Sequence, residues 1–343
     1  MGGAASGILA PIVFDRLLEW PIALLLLAGC CLKIALNAAS RSTDGARHRM
    51  IIWCVAGIYV LFLHGMIRSD GDGDLSRGRS FYGPWRVYER NLPFRDGTGS
   101  HRIRYFRHGG TSHGFQPVRE TGLFCATGYY APENGGKAFS IHGGYTAGKP
   151  VRAGLVGLGI GTMAWYGRQG DYFRFYEICP QVAQMACDGK WFQYVKNSKA
   201  DIDVVIADAR KALESERLKD EVKWDILVID AYSGDSIPIH LMTKEAFKLY
   251  RDRLADGGIL ALHISNWHTD LVPLAKAAAK LLGMECKIIC MRGGIFSMEA
   301  TWALMSDHPL SLPPDTQVID PRHVRDAEVP SDAKGSLLSF VRF

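Results

Sequence analysis

The chain begins with two strongly apolar runs. Residues 20–36 and residues 50–67 are each apolar apart from a single Lys or His. Runs of about 17 or 18 residues are at the short end of what crosses the hydrocarbon core of a bilayer. A cleaved signal peptide begins with basic residues, whereas Asp15 and Glu19 precede the first run. The pattern therefore predicts two transmembrane helices, and buried helices of a soluble domain are the alternative.

Short alternating segments follow the apolar beginning. A polar stretch of Asp and Gly residues at 69–74 indicates a domain boundary. Between residues 80 and 116, apolar and polar residues alternate in segments such as 85–88 and 103–106, with glycines between them. This pattern predicts β-hairpins. Residues 117–148 are irregular and rich in Gly and Tyr, which is typical of a cover loop over a site.

Strands and helices alternate from residue 151 onward. Apolar runs rich in β-branched residues predict five strands, at 151–156, 172–176, 202–206, 226–229 and 259–264. Helical spacing lies between them, as at Phe247, Tyr250 and Leu254, or in the segment 271–281, where Gly283 is expected to cap a helix. This alternation predicts a parallel sheet with helices on both faces.

A hairpin is predicted at the end of this region. The last two predicted strands, 286–291 and 301–305, are joined by too few residues for a crossover helix, so they are expected to pair antiparallel at the sheet edge. A tail containing several prolines follows.

These patterns divide the chain into four predicted parts. Residues 1–75 form the membrane region with its linker, and residues 76–148 form a small β-rich domain with its cover loop. Residues 149–310 form a nucleotide-binding catalytic domain, and residues 311–343 form a C-terminal tail.

Composition narrows the possible functions. Apolar residues make up 48% of the chain and charged residues 22%, which is ordinary for a folded protein. The net charge of +5 is weak and scattered, so no nucleic acid is expected as a partner. Eight cysteines occur without a CxxC pair or a histidine pair at zinc spacing, so free thiols and no metal are expected.

A glycine-rich turn follows the strand at 151–156. Gly157, Gly159 and Gly161 allow a ligand to approach the backbone and expose N–H groups to it. The dinucleotide fingerprint GxGxxG requires a sixth-place glycine, which here is Thr162. NAD is therefore disfavoured.

Acidic residues end the next three strands. Glu177, twenty residues after Gly157, is placed to accept hydrogen bonds from ribose hydroxyls, and Asp208 is placed to meet an adenine amino group. Asp230 ends the following strand and faces the same crevice. Each acid alone is equally compatible with a helix cap or a surface position. As a set, they predict adenosine binding at the carboxyl edge of the sheet.

The adenosine ligand is expected to be S-adenosylmethionine or a derivative. The order of glycine turn, ribose acid, adenine acid and terminal hairpin resembles the class I methyltransferase fold. The predicted fold is therefore α/β, with a class I methyltransferase-like (Rossmann-type) seven-stranded sheet. It is preceded by the small β-hairpin domain and the two N-terminal transmembrane helices.

Two carboxylates flank the loop after the fourth strand. Asp230 and Asp235 enclose Tyr232, Ser233 and Gly234. If this loop folds over the crevice, both acids and the phenol surround a cationic amine. The alternative is a solvated loop in which Asp235 caps the next helix.

At this point, the chain resembles the polyamine aminopropyltransferase (spermidine synthase) family over roughly residues 80–305. It is most similar to the bacterial branch in which membrane helices precede the catalytic domain. The matching segments are 79–83, 113–116, 128–130, 156–162, 176–177, 230–238 and 263–266.

The resemblance implies roles for individual residues. The donor side is implied to comprise the glycine turn, Gln116, Glu177 at the ribose and Asp208 near the adenine. Asp230 and Asp235 are implied to bind and deprotonate the attacking amine. Residues expected to line the acceptor pocket are Tyr129, Tyr130, Tyr232, Ser233 and His263, although any single aromatic residue is more often part of a protein core. The resemblance also implies anchoring in the bacterial inner membrane, a cytoplasmic catalytic domain and self-association.

Several positions depart from the family. Ile160 stands where spermidine synthases carry an Asp that contacts the amino end of the donor, and Gly83 replaces a Gln. The family's Asp-Glu-x-x-Tyr-His-Glu segment is not found after Gln116, and the loop between Asp230 and Asp235 is longer. The departures affect recognition of the transferred group and the amine more than recognition of the nucleoside.

Three functions therefore remain open. The first is aminopropyl transfer from decarboxylated S-adenosylmethionine to a diamine such as putrescine. The second is methyl transfer from S-adenosylmethionine to an unknown acceptor. The third is a membrane-tethered protein that binds polyamine or nucleoside without turnover.

Overall fold

The computed structural model describes most of the chain. The described residues are 19–39, 45–69, 73–93, 99–118, 124–219, 222–232, 237–266, 268–334, 336–337 and 340–341. The chain divides into two compact units, Met1–Glu89 and Arg90–Phe343. The predicted domain boundaries at 75, 148 and 310 stay predictions.

Two helices and a hairpin make up the described part of the first unit. Helix α1 spans Glu19–Ala39 and contacts helix α2, Gly45–Ser69. Strand β1, Asp74–Ser80, pairs antiparallel with β2, Gly83–Pro93. The turn between them is closed by Ser80, whose hydroxyl accepts the Tyr82 N–H at 3.1 Å.

The two predicted membrane spans are not found. Among the residues described, no helix has both the length and the apolar character needed to cross a membrane. The apolar runs were already at the lower limit of length for a span, and Lys33 and His64 interrupt them with polar side chains.

The second unit begins with another hairpin and a short helical cover. Strand β3, Ser100–His108, pairs antiparallel with β4, Thr111–Pro117. Two short helices follow, α3 over Lys137–Ile141 and α4 over Gly143–Thr146.

Strands and helices then alternate as predicted. The strands are β5 Arg152–Val156, β6 Tyr172–Glu177, β7 Asp201–Ile206, β8 Trp224–Ile229, β9 Leu254–His263, β10 Glu285–Met291, β11 Ala300–Ser306 and β12 Val318–Ile319. The α-helices are α5 Pro180–Cys187, α6 Tyr194–Asn197, α7 Ala209–Leu218, α8 Lys244–Arg253 and α9 Val272–Leu282. Short 3-10 helices span Thr162–Tyr166, Ile239–Leu241 and Pro321–His323.

The sheet order confirms the predicted fold class. In the described part of the chain, the main sheet has eight strands in the order β12-β10-β11-β9-β8-β5-β6-β7. Strands β5 to β9 run parallel to one another, and β11 pairs antiparallel with both β9 and β10. This is the strand order of the class I methyltransferase fold, and it brings the carboxyl ends of β5, β6, β7 and β8 to one edge.

The predicted strand number and one helix boundary needed correction. Two residues of the tail, Val318 and Ile319, pair with β10 as an eighth strand, because an edge strand offers unpaired N–H and C=O groups. Leu254, predicted at helical spacing, is extended with φ −78° and ψ 144° and begins β9. Helix α9 ends as predicted, with Gly283 in the left-handed conformation at φ +66°.

The C-terminal tail packs against the rest of the second unit. The Pro330 carbonyl accepts the Lys244 N–H at 2.7 Å, and Asp332 forms an ion pair with Arg210 at 2.5 Å. Phe340 is buried. The tail therefore belongs to the packed structure of this unit.

Candidate active site

The glycine turn after β5 packs between two other segments. Gly157 has φ +96°, and a Cβ atom at this position would lie 2.2 Å from the carbonyl oxygen of Asp230. Gly159 has φ +56°, and its Cβ would lie 2.8 Å from the carbonyl oxygen of His113. Only glycine accommodates both the backbone conformation and the close approach. Gly161, the third predicted glycine, then leads into the 3-10 helix at Thr162–Tyr166.

Glu177 is held by backbone groups of this turn. Its Oε2 accepts the N–H of Leu158 at 3.1 Å, and its Oε1 accepts the N–H of Cys179 at 2.8 Å. Burial raises the pKa of the carboxyl, and the backbone hydrogen bonds oppose this shift. Further backbone hydrogen bonds reach this carboxylate from Ile178 and Gly159, so the backbone around the turn fixes its position at the carboxyl edge of the sheet.

Asp208 is an N-cap residue. It follows β7, and its Oδ1 accepts the Lys211 N–H at 3.0 Å in the first turn of α7. Its Oδ2 lies 3.3 Å from Nε2 of His240. Asp208 therefore caps this helix, and its assignment to the adenine stays a prediction. It still lies at the same sheet edge as Glu177, one strand away.

Asp230 is held by side chains rather than by the backbone. It is 8% exposed at the end of β8. The hydroxyl of Tyr130 donates to its Oδ2, and His263 Nδ1 lies 2.7 Å from its Oδ1. Burial first, and then the negative charge of Asp230, raise the pKa of Tyr130 well above its ordinary value, so the phenol stays a donor at neutral pH.

Aromatic rings enclose His263. Its ring stacks on Tyr129 at 4.4 Å between centroids and on Trp302 at 4.7 Å. The hydroxyl of Tyr232 lies 2.9 Å from the carbonyl oxygens of both His263 and Ser265. The predicted pocket residues Tyr129, Tyr130, Tyr232 and His263 are thus brought together at Asp230.

Three other predicted site residues are Gln116, Ser233 and Asp235. Gln116 is buried, and its Oε1 accepts the Gln193 N–H at 2.9 Å. Ser233 and Asp235 lie outside the described residues. Their assignments as substrate-binding and catalytic residues stay predictions.

Ile160 occupies a closed position. It is 1% exposed, and its side chain lies against Gly114 of β4, where a Cβ atom would approach Ile160 Cγ1 to 2.9 Å. An apolar side chain buried in this way offers no charge to a ligand.

Two contributors to the site were not predicted from the sequence. Trp302 lies on β11 and stacks on His263, and its Nε1 donates to the Tyr129 carbonyl at 3.1 Å. The hydroxyl oxygen of Ser265 lies 2.9 Å from Nε2 of His263, the ring nitrogen that does not face Asp230. The His-x-Ser spacing at a strand end was the one signal available for Ser265, and Trp302 had none.

One cluster of possible metal ligands occurs in the described residues. Asp256, Asp307 and His308 are exposed at the amino end of β9, whereas Asp230 lies beside the carboxyl end of that strand. That the reaction uses no metal stays a prediction.

Comparisons with known proteins agree with this geometry in part. No family model matches the chain. A stretch of 115 residues is 32% identical to the polyamine aminopropyltransferase of Vibrio vulnificus (strain CMCP6). The match covers 33% of this chain and 37% of that protein, so the chain spans little more than a third of the relative's length. It supports the resemblance to the spermidine synthase family.

Solved structures of similar fold include two spermidine synthases. A probable spermidine synthase from Corynebacterium glutamicum ATCC 13032 is 16% identical, with 67% of this chain and 79% of that chain covered and a TM-score of 0.48. The spermidine synthase from Thermotoga maritima is 15% identical, with 78% and 85% covered and a TM-score of 0.47. The fold itself is established by the strand order of the sheet.

Proposed function

We propose that this chain is a spermidine synthase-like transferase. It moves an aminopropyl group from decarboxylated S-adenosylmethionine to a diamine such as putrescine. The observation that supports this most is the convergence of two buried carboxylates on one glycine turn. Glu177 accepts an N–H from the turn, and the backbone of Asp230 packs against Gly157.

The donor side of the proposal uses Glu177 and the glycine turn. In this proposal, the Glu177 carboxylate accepts hydrogen bonds from the ribose hydroxyls of the donor. Asp208, at the same sheet edge, meets the adenine amino group, and the turn lets the donor approach the backbone. Gln116 supports this side through the backbone of Gln193.

The acceptor side of the proposal uses Asp230 as the base. A primary amine has a solution pKa near 10.4, so only about one molecule in 10³ carries a free lone pair at pH 7. The carboxylate binds the ammonium and accepts its proton as nitrogen attacks the carbon beside the sulfonium. The new C–N bond forms while the C–S bond breaks, and sulfur leaves as a neutral thioether.

Charge movement explains why an acid is needed here. During displacement, positive charge moves from sulfur to nitrogen and therefore towards Asp230. A fixed negative charge stabilises this arrangement more than it stabilises the ground state. Tyr129 and Tyr232 supply aromatic faces for the cation or for the methylene chain. In this proposal, Asp235 and Ser233 complete the amine site.

Location and self-association belong to the same proposal. We propose that the catalytic domain works in the cytoplasm, where the sulfonium donor is made, and that the protein forms a homo-oligomer; both follow from the family resemblance alone.

Methyl transfer from S-adenosylmethionine is a second candidate function. The observation that favours it is Ile160, which is buried against Gly114 where spermidine synthases carry an acid. Without that acid, the amino end of decarboxylated S-adenosylmethionine has one ionic partner fewer.

Product analysis separates the candidates. Purified protein is incubated with each donor and putrescine, and the nucleoside product is identified. Methylthioadenosine supports aminopropyl transfer, and S-adenosylhomocysteine with a suitable acceptor supports methyl transfer. Donor binding with neither product over a panel of amine and other nucleophilic acceptors would contradict both and favour a binding protein.

A further inference from the structure

His263 belongs to a chain of hydrogen bonds that ends on Asp230. Its Nδ1 lies 2.7 Å from Asp230 Oδ1, and its Nε2 lies 2.9 Å from Ser265 Oγ. The same hydroxyl oxygen accepts the backbone N–H of Thr301 at 2.7 Å. This series of hydrogen bonds therefore links β11, the end of β9 and the end of β8.

The geometry of Ser265 assigns the proton on the imidazole. Its hydroxyl hydrogen has two possible acceptors, the Thr301 carbonyl oxygen at 3.5 Å and His263 Nε2 at 2.9 Å. The Asp230 carboxylate at Nδ1 can only accept a hydrogen bond, so in a neutral imidazole Nδ1 carries the proton and Ser265 donates to Nε2 through the shorter of its two contacts. Nε2 is then an acceptor, and Nδ1 carries the proton that it donates to Asp230.

The ring of His263 cannot turn away from this arrangement. Tyr129 and Trp302 stack on it with interplanar angles of 14° and 23°. His263 is 5% exposed, and both of its nitrogens have partners. A substrate therefore finds neither an open face nor a free nitrogen on this residue.

We propose that His263 is a positioning residue, which fixes the orientation of the Asp230 carboxylate through its Nδ1–H. This inference rests on the proposed function, in which Asp230 accepts a proton. Tyr130 donates a hydrogen bond to Oδ2 and His263 donates one to Oδ1. Together, these two bonds fix the plane of the carboxylate. One acceptor position on each oxygen remains for the incoming amine.

Loss of the Nδ1 donor frees the carboxylate to rotate. Small errors in the placement of a reacting group cost about 10²-fold in rate. Since His263 does not touch the amine in this arrangement, the loss is expected in kcat rather than in KM.

Three variants test this role. His263→Leu removes both nitrogens, His263→Asn places an amide N–H near the former Nδ1, and His263→Gln places its amide near the former Nε2. We expect kcat to fall about 10²-fold in the Leu and Gln variants. The kcat of the Asn variant should be at least about tenfold higher than that of the Leu variant. Its KM for the amine should lie within about threefold of the parent value.

A matched control uses a histidine that pairs with an acid elsewhere. His308 lies 3.4 Å from Asp256 and is exposed, and His308→Leu is expected to leave kcat unchanged. A rise in KM with unchanged kcat in His263→Leu would contradict the proposal and indicate direct binding. Equal activity of the Asn and Leu variants would contradict it as well.

A second measurement needs no turnover. Imidazole nitrogen NMR of the parent, with His263→Asn used to assign the signal, should show the Nδ1-protonated tautomer. In Ser265→Ala, the Nε2 signal should shift because Nε2 loses its hydrogen-bond donor, while Nδ1 stays protonated against Asp230. An Nε2-protonated parent would overturn the positioning role, whereas an inactive parent with the Nδ1 tautomer would count only against the proposed function.

Discussion

The donor half and the acceptor half of the candidate site are built differently. Glu177 is held by two backbone N–H groups, at Leu158 and Cys179. Asp230 is held by two side chains, Tyr130 and His263, which lie 100 and 33 residues away in the sequence. A backbone clamp follows from the strand-turn geometry of the fold. An arrangement held by side chains depends on tertiary packing, and a substitution of either contributing residue removes one of its hydrogen bonds.

The strongest test of this contrast removes the charge of Asp230. Asp230→Asn keeps the shape, with the amide oxygen accepting from His263 and the amide N–H₂ facing Tyr130. We expect kcat to fall about 10³-fold, because the base is lost, while the donor dissociation constant changes less than about threefold. Steady-state kinetics and calorimetric donor binding measure the two effects.

The control lies on the same strand. Asp225 stands near the amino end of β8, where its Oδ2 accepts the Arg152 N–H at 2.8 Å. Asp225→Asn should leave turnover near the parental value. Parental turnover in Asp230→Asn would remove this acid from the proposed chemistry.

Gly157→Ala breaks the contact that joins the two halves. A Cβ atom would lie 2.2 Å from the Asp230 carbonyl oxygen, on a residue with φ +96°. We expect the free energy of unfolding to fall by about 3 kcal/mol, from backbone strain and displacement of the Asp230 segment. Denaturant unfolding measures it, with Gly143→Ala as a control because nothing lies within 4 Å of that Cβ.

Glu177→Gln weakens the donor half. The amide N–H₂ faces either the Leu158 N–H or the Cys179 N–H, so one hydrogen bond becomes a repulsive contact. We expect donor affinity to fall about 10-fold to 30-fold, in line with the loss of a hydrogen bond to a charged group. Turnover at saturating donor should stay within about threefold of the parent. An unchanged donor affinity would disagree with the assignment of Glu177 to the ribose.

The smallest effect concerns the pH dependence of stability. His113 contacts Phe106 and His108 at 5.5 and 5.7 Å between ring centroids, and its backbone carbonyl lies against Gly159. Burial, and to a lesser degree His108, lower the pKa of His113 to about 3. The unfolded residue takes up a proton near pH 6.5, whereas the folded one does so only near pH 3.

Protonation of His113 therefore favours the unfolded state as the pH falls below 6.5. We expect the free energy of unfolding to decrease by about 1 kcal/mol per pH unit between pH 6 and pH 4 from this residue. Denaturant unfolding of the parent and of His113→Gln across this range isolates the effect. Identical slopes for the two proteins would show that His113 does not contribute.

The hydrophobic pattern predicted most of the catalytic fold. Five parallel strands and the terminal hairpin lie within a few residues of their predicted positions, because buried strands read as continuous apolar runs. The eighth strand was missed, since Val318 and Ile319 pair with β10 only through tertiary contact. The two apolar runs at the beginning are helical, yet their membrane-spanning character was not found.

Within the candidate site, the sequence located acids but not their partners. Glu177 and Asp230 were predicted because acids at the ends of parallel strands meet at one edge. The partnership of Asp230 with Tyr130 and His263 was not predicted, because the side chains come from distant segments. For Asp208, the position at the end of a strand did not distinguish a residue that contacts a ligand from one that caps a helix.

The sequence by itself determined the alternation of strands and helices, the glycine turn and the acids at the sheet edge. These features are local, because they follow from the spacing of apolar residues and from the backbone freedom of glycine. Tertiary structure alone decided that Tyr129 and Trp302 stack on His263 and that Asp230 and Ser265 lie at its two ring nitrogens. Side-chain hydrogen bonds form between whichever groups packing brings within about 3 Å, and residue spacing along the chain does not encode that distance.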